Sequence, residues 1–223
     1  MCFLVDDNDK VIGTATKKEC HVVKEDGYLP LHRAFSVFLF NKKGDLLMQK
    51  RADTKVSIFS EFLSSSIMTF QITYPGYYSN SCCSHPLASV SGEDDVNDAL
   101  GIKKAAIRRL NYELGIPRDH LPLDRFEYLT RIKYKDQGDG KWGEYEIDFI
   151  LFFQDDVKLK PNPNEISAIA YVPKSEFKSY LHTLDGPLTP WMQLIVKKRL
   201  SVWWDNLHDL SKFKDHKQIL DLS

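Results

Sequence analysis

The chain has 223 residues, 43% of them apolar, and a formal net charge of −1. That length suits one well-cored domain, and the balanced charge gives no pull towards nucleic acid or an anionic membrane. No apolar run reaches the roughly 18 residues of a membrane span, and four cysteines (Cys2, Cys20, Cys82, Cys83) are too few for a secreted disulfide framework.

The N-terminal MCFLVDDNDKVIG has no basic segment ahead of an apolar one, so no signal peptide is expected. Residues 3–5 and 11–15 alternate around Asp-Asp-Asn-Asp and predict an opening hairpin. Runs 34–40 and 46–51 flank a glycine-containing turn over residues 41–45 and predict a second. Residues 97–114 set Ile102, Ala106, Leu110 and Leu114 on one helical face, with Asp94 and Asp95 near the start and Gly115 as a stop.

The strongest predicted strand is 144–153. Tyr145, Ile147, Phe149, Leu151 and Phe153 fall on one face, Glu144, Glu146 and Asp148 on the other. Another strand is predicted at 168–173, and after Pro190 the pattern turns helical and ends in a polar tail. Strands before and after the main helix, with more helix at the end, imply an α/β (α+β) fold: a mixed sheet flanked by helices in one domain, 1–223. Its core spans about 32–175 and its helical C-terminal part about 187–217.

Glu144 and Glu146 share a strand face, with Cα atoms roughly 6–7 Å apart. Such a pair reads either as a solvated face or as a metal or acid/base pair. His21, His32 and His85 with these two carboxylates form a plausible five-ligand set for a divalent ion. The Cys-x-x-Cys spacing of a closed structural zinc site is absent. In SNSCCSHPL, a disulfide between adjacent Cys82 and Cys83 would strain the intervening peptide, so one reactive thiol and one packed neighbour are expected.

The segments LHRAFSVFLFN, SNSCCSHPL, RRLNYELGI, GKWGEYEID and LTPWMQLIVKKRLSVWWDNL together resemble the type I isopentenyl-diphosphate Δ-isomerases of the eukaryotic subgroup. The resemblance runs from about residue 2 to 217 and implies a Nudix-type fold. It implies Cys83, Glu146 and Tyr134 as catalytic groups and His21, His32, His85, Glu144 and Glu146 as divalent-metal ligands. It further implies Lys17, Arg51, Lys55, Ser84 and Arg109 around a diphosphate, Glu113 on a Mg²⁺ bound to that diphosphate, and Trp191 lining the site. The ion at the histidine–glutamate site is left open between Mg²⁺, Zn²⁺ and Mn²⁺. A small-molecule diphosphate substrate, no nucleic acid, a monomeric state and a cytoplasmic location (a peroxisome being the alternative, with no tail signal seen) complete what it implies.

Two alternatives stand beside this reading. A Nudix diphosphohydrolase needs a helical carboxylate cluster; here Arg109 and Tyr112 take two of those glutamate positions and only Glu113 remains. A non-catalytic relative is the other, because VSIFSEFLSSSIMTFQ (56–71) is inserted relative to the family pattern, directly after Lys55. Its Val-Ser start and Phe-Gln end can be encoded with splice-donor and splice-acceptor ends, so a retained intron is expected. An active-site lid is the competing reading.

Overall fold

The computed structural model describes residues 1–53 and 73–222. The 56–71 insertion and Lys55 lie outside the described residues.

The chain opens with β1 (Cys2–Val5) and β2 (Val11–Ala15), paired antiparallel as the alternation predicts, with a shift in register at Leu4/Val5. A short helix α1 (Lys17–His21) follows. Thr16 caps it, its hydroxyl accepting from the Glu19 backbone N–H while the Glu19 carboxylate accepts from the Thr16 N–H. Such reciprocal capping is worth about 1 kcal/mol and sets where His21 points. Then come β3 (His32–Phe40), β4 (Leu46–Arg51), β5 (Tyr78–Ser79), β6 (Cys82–Ser84) and α2 (Leu100–Leu114). The second half holds β7 (Glu127–Asp136), β8 (Glu144–Gln154), β9 (Ile166–Val172), α3 (Phe177–Thr183), α4 (Pro190–Ile195), α5 (Ser201–Asp205) and β10 (Ile219–Asp221). A π-type stretch, Val196–Leu200, joins α4 to α5 into one helical run.

Strand β3 is the axis of the sheet. One edge pairs in parallel with β8 along its whole length, from His32–Glu146 to Phe40–Gln154. Its other edge is shared in turn by β1 at His32, β6 at Phe35–Val37 and β4 at Phe40. The predicted hairpin of β3 and β4 therefore exists at its turn only. Beyond Phe40–Leu46, β4 leaves for β5 and β9. On the far side β7 lies antiparallel to β8 and parallel to β10, so the supposed polar tail ends in a strand.

Two apolar layers clamp this sheet. On one face α2 packs Ile102, Ala106, Leu110 and Leu114 on Phe35, Val37, Leu39, Ile147, Leu151 and Phe153. On the other, the C-terminal helical run sets Trp191, Met192, Ile195, Trp203 and Trp204 with Phe38, Phe40, Ile150 and Phe152. The acidic face of β8 is thus not solvated: Glu144, Glu146 and Asp148 are all buried.

Helix α2 also starts later than its apolar periodicity predicts. Asp98 and Ala99 take left-handed backbone angles, φ +47° and +53°, and the regular helix begins at Leu100. Gly101 presses on the Glu93 carbonyl so closely that an added Cβ would lie 2.4 Å from it, and its N–H donates to the Asp95 carbonyl. The chain must fold back at 98–99 to make that approach. Gly115 stops the helix at φ +65°, as predicted.

Candidate active site and metal centre

The sheet register assembles the site. Tyr134 on β7, Glu146 on β8 and His32 on β3 are cross-strand neighbours in one row, and Cys83 on β6 sits opposite Ser36, two positions further along that side of β3 than Ala34. Paired residues in a sheet share a face, so short-range pattern becomes a cluster. Helix α1 adds His21, and the Pro86-stiffened exit from β6 adds His85. A small cleft is lined by Lys17, His21, Arg51, Ser84, Trp191 and the Cys83–Glu146 pair, among others.

The ligand atoms of His21, His32, His85 and Glu146 lie within 4.8 Å of one another, all in buried side chains. Glu146 Oε1 is the hub, 2.9 Å from His85 Nε2, 3.2 Å from His32 Nε2 and 3.9 Å from His21 Nε2. His21 Nδ1 is 2.6 Å from the Lys17 carbonyl oxygen and His32 Nδ1 is 3.0 Å from that of Pro30. A carbonyl only accepts, so each Nδ1 holds the proton and each Nε2 lone pair turns inward, the tautomer a metal ligand needs. His21 Nε2 and His32 Nε2 are buried without a well-directed hydrogen bond. Three inward imidazole nitrogens and a carboxylate fit a divalent ion.

Glu144 stands at the edge of this group. Its Oε1 is 4.0 Å from His21 Nε2 but accepts from the Thr73 hydroxyl at 2.7 Å, while Oε2 meets the Tyr134 hydroxyl at 2.7 Å. Tyr134 is closer still to Glu146, 2.5 Å from Oε2. Burial and the charge of Glu146 push the Glu144 carboxyl up to about 7. Burial alone would raise Glu146 too, but His32 and His85 outweigh it and hold this carboxyl well below the usual range. Burial and the neighbouring histidines keep His21 neutral by pushing it well below its ordinary value.

The two cysteines differ in burial. Cys82 is fully buried in the α2 layer and Cys83 is half-buried at the cleft. Burial pushes the Cys83 thiol up to about 12, so it keeps its proton. Trp191 borders it, the indole Nε1 lying 3.2 Å from Sγ. The Arg51 guanidinium is 5.8 Å from the centre of the Trp191 ring and donates to the carbonyls of Thr73 and Tyr74.

Arg109 and Glu113 do not line the cleft. They pair with each other on α2, and Arg109 also lies 3.5 Å from Glu165. Sequence reasoning gave no role to Thr73, which donates to Glu144, to Ser36, which donates to Asp148 and lies 3.8 Å from Cys83 Sγ, or to Asn80, which meets Cys83 and Trp191. Asn80 and Ser36 lie inside quoted motifs, so position within those motifs was the one signal available.

A NUDIX domain model matches residues 95–192. The fold is similar to the crystal structure of DR0079 from Deinococcus radiodurans, with a TM-score of 0.56 over 89% of this chain and 99% of that one. At 14% identity that likeness speaks for the fold alone. The chain is 49% identical to isopentenyl-diphosphate Delta-isomerase 1 of Mesocricetus auratus, covering 98% of this chain and 90% of the relative. It is 44% identical to isopentenyl-diphosphate Delta-isomerase I of Clarkia breweri, covering 92% and 68%. With near-complete coverage at this identity, the chain belongs to the isopentenyl-diphosphate Δ-isomerase family.

Proposed function

We infer that this chain interconverts isopentenyl and dimethylallyl diphosphate. The reaction moves a double bond one place: a proton joins the terminal methylene, a tertiary carbocation forms, and a proton leaves the carbon nearer the diphosphate. It needs two proton-carrying groups around a small hydrocarbon, a surface that tolerates a cation, and no loose water.

The observation that carries the reading is that Cys83, Glu146 and Trp191 line one small, largely buried cleft. Cys83 and Glu146 would trade protons with the substrate. Tyr134, touching both Glu144 and Glu146, would hold Glu146 in place and connect it to the proton on Glu144. The indole of Trp191 would face the cation, an attraction of about 2 kcal/mol when desolvated.

A divalent ion held by His21, His32, His85 and Glu146, with Glu144 beside them, would supply positive charge that acidifies the groups bound to it. Mg²⁺, Zn²⁺ and Mn²⁺ are all compatible with that donor set. We assign the diphosphate to Lys17, Arg51, Lys55, Ser84 and Arg109, and to Glu113 a share in holding a Mg²⁺ that the diphosphate would carry. Arg109 and Glu113 would give up part of their mutual pair for that contact.

The test is turnover. The purified chain with Mg²⁺ and isopentenyl diphosphate should form dimethylallyl diphosphate, and Cys83→Ala should abolish it. Equal product from the wild type and Cys83→Ala would overturn the assignment.

A further inference from the structure

Asn80 is fully buried between the two walls of the cleft, and every polar atom of its side chain is engaged. Nδ2 lies 3.0 Å from the Val37 carbonyl oxygen of β3 and 3.1 Å from that of Cys82 in β6. Both partners can only accept, so the amide has a single orientation: NH₂ towards the sheet, oxygen towards the cleft wall.

That oxygen meets three donors. The Trp191 indole Nε1–H reaches it at 3.0 Å, the Cys83 thiol at 2.9 Å and the Ser79 hydroxyl at 3.0 Å. Ser79 has a second partner in Thr189, 3.1 Å away. The indole has one in Cys83 Sγ itself. One carbonyl oxygen therefore bonds to a side chain from β6 and to another from α4, elements far apart in the chain.

We infer that Asn80 is a positioning residue for this reaction, fixing the Cys83 thiol and the Trp191 indole relative to each other. The inference rests on the functional reading of Cys83 and Trp191 above. A buried amide that merely completed the backbone bonding of β3 and β6 would need only its NH₂ group. The oxygen serves the two side chains that touch the reacting hydrocarbon. Among the described residues the hydrogen bonds of the Asn80 side chain run to Val37, Ser79, Cys82, Cys83 and Trp191, none of them assigned to the diphosphate, so its loss spares diphosphate binding and loosens the geometry at the carbon that gains or loses a proton.

The test compares Asn80→Ala and Asn80→Ser with the wild type, each checked for a folded, metal-retaining protein. A displacement of about 1 Å at the reacting groups costs on the order of 10²-fold. The expected result is a fall of that size in kcat, a KM for isopentenyl diphosphate within about twofold of wild type, and an iodoacetamide alkylation rate at Cys83 altered by about threefold or more. The other three cysteines are buried, so that rate reports Cys83. A folded variant with both rates within about twofold of wild type overturns the inference, as does a higher KM at unchanged kcat.

Should neither variant fold, Trp191→Phe keeps Asn80 and both its backbone bonds while removing the indole N–H. The alkylation rate at Cys83 should then depart from that of the wild type by about threefold or more and kcat should fall; an unchanged alkylation rate overturns the inference. Should the wild type itself make no dimethylallyl diphosphate, the isomerase reading fails, while the alkylation comparison still decides the role of Asn80.

Discussion

The Tyr134 hydroxyl lies 2.5 Å from Glu146 Oε2, on a strand directly beside it in the sheet. The same hydroxyl lies 2.7 Å from Glu144 Oε2. One phenolic proton cannot serve both carboxylates, and of the two it is Glu144, pushed up to about 7 by burial and by the charge of Glu146, that takes a proton more readily. Tyr134→Phe removes a hydrogen bond to a charged group, worth about 1.5–3 kcal/mol. We expect kcat to fall roughly ten- to a hundredfold with the metal retained, measured by steady-state kinetics beside elemental analysis. Full activity in Tyr134→Phe would show that the hydroxyl only fills space.

The metal site should be separable from the chemistry. Cys83→Ala removes the thiol and none of the four clustered ligands. It should bind as much divalent metal as the wild type while losing a factor of about 10²–10⁴ in turnover. Metal lost together with activity in Cys83→Ala would tie the thiol to the ion.

His32→Ala should do the opposite and empty the site. A ligand that binds only the folded state stabilises it by mass action, so chelation should lower the Tm of the wild type and leave that of His32→Ala unmoved. An equal chelator-induced shift in both proteins, read by thermal scanning, would place the ion elsewhere.

A structural ion pair also reaches the site. Arg108 holds the buried Glu93 by two contacts and donates to the carbonyl of His85 at 3.2 Å, while Glu93 also accepts from the Leu87 N–H. Arg108→Met strands a carboxylate that is almost wholly buried. Breaking a buried pair costs about 3–5 kcal/mol, of which the lower end applies because Arg108 is partly exposed. The Tm should drop by roughly 6–12 °C, and restoring it with Glu93→Gln in the same chain would identify the stranded charge as the cause.

Much of this was legible in the residues themselves. Alternation found β1, β2 and β8, and a 3.6-residue period with a glycine stop found α2. The sequence groups His21, His32, His85, Glu144 and Glu146 across more than a hundred residues; four of the five cluster, and Glu144 stands at the edge, 4.0 Å from His21. The failures share one cause, the dependence of a strand's partner on distant chain. Nothing between residues 34 and 51 says that β3 and β4 part company after one pair. Nothing in 144–148 says that α1, Thr73 and Trp191 cover its acidic face. Residues 219–221 are too few to register as a strand until β7 is alongside. Asn80 and Thr73 carry short polar side chains common in any loop, and their importance lies wholly in what faces them.

The insertion admits a direct experiment. Deleting 56–71 should leave the fold intact, because residues on either side of it supply the β3–β8 axis, both apolar layers and the metal cluster. Circular dichroism and Tm should be close to those of the full chain, and turnover equal to or above it. Loss of folding on deletion would make 56–71 an integral part of this protein.

Arg51 explains why that comparison is clean. Its side chain grips the carbonyls of Thr73 and Tyr74 and its backbone N–H donates to the Tyr77 carbonyl, so the chain leaving after Asp53 and the chain returning at Thr73 are stitched side by side. Loop closure costs only about 0.6 kcal/mol per doubling of length once the ends are fixed. The two described ends of that segment are therefore fixed to each other at the active-site rim, and a change of length between them should cost the sheet little. Both flanks of the junction, Arg51 and Thr73, line the cleft, so a change of length there is a change made at the edge of the chemistry and not at its foundation.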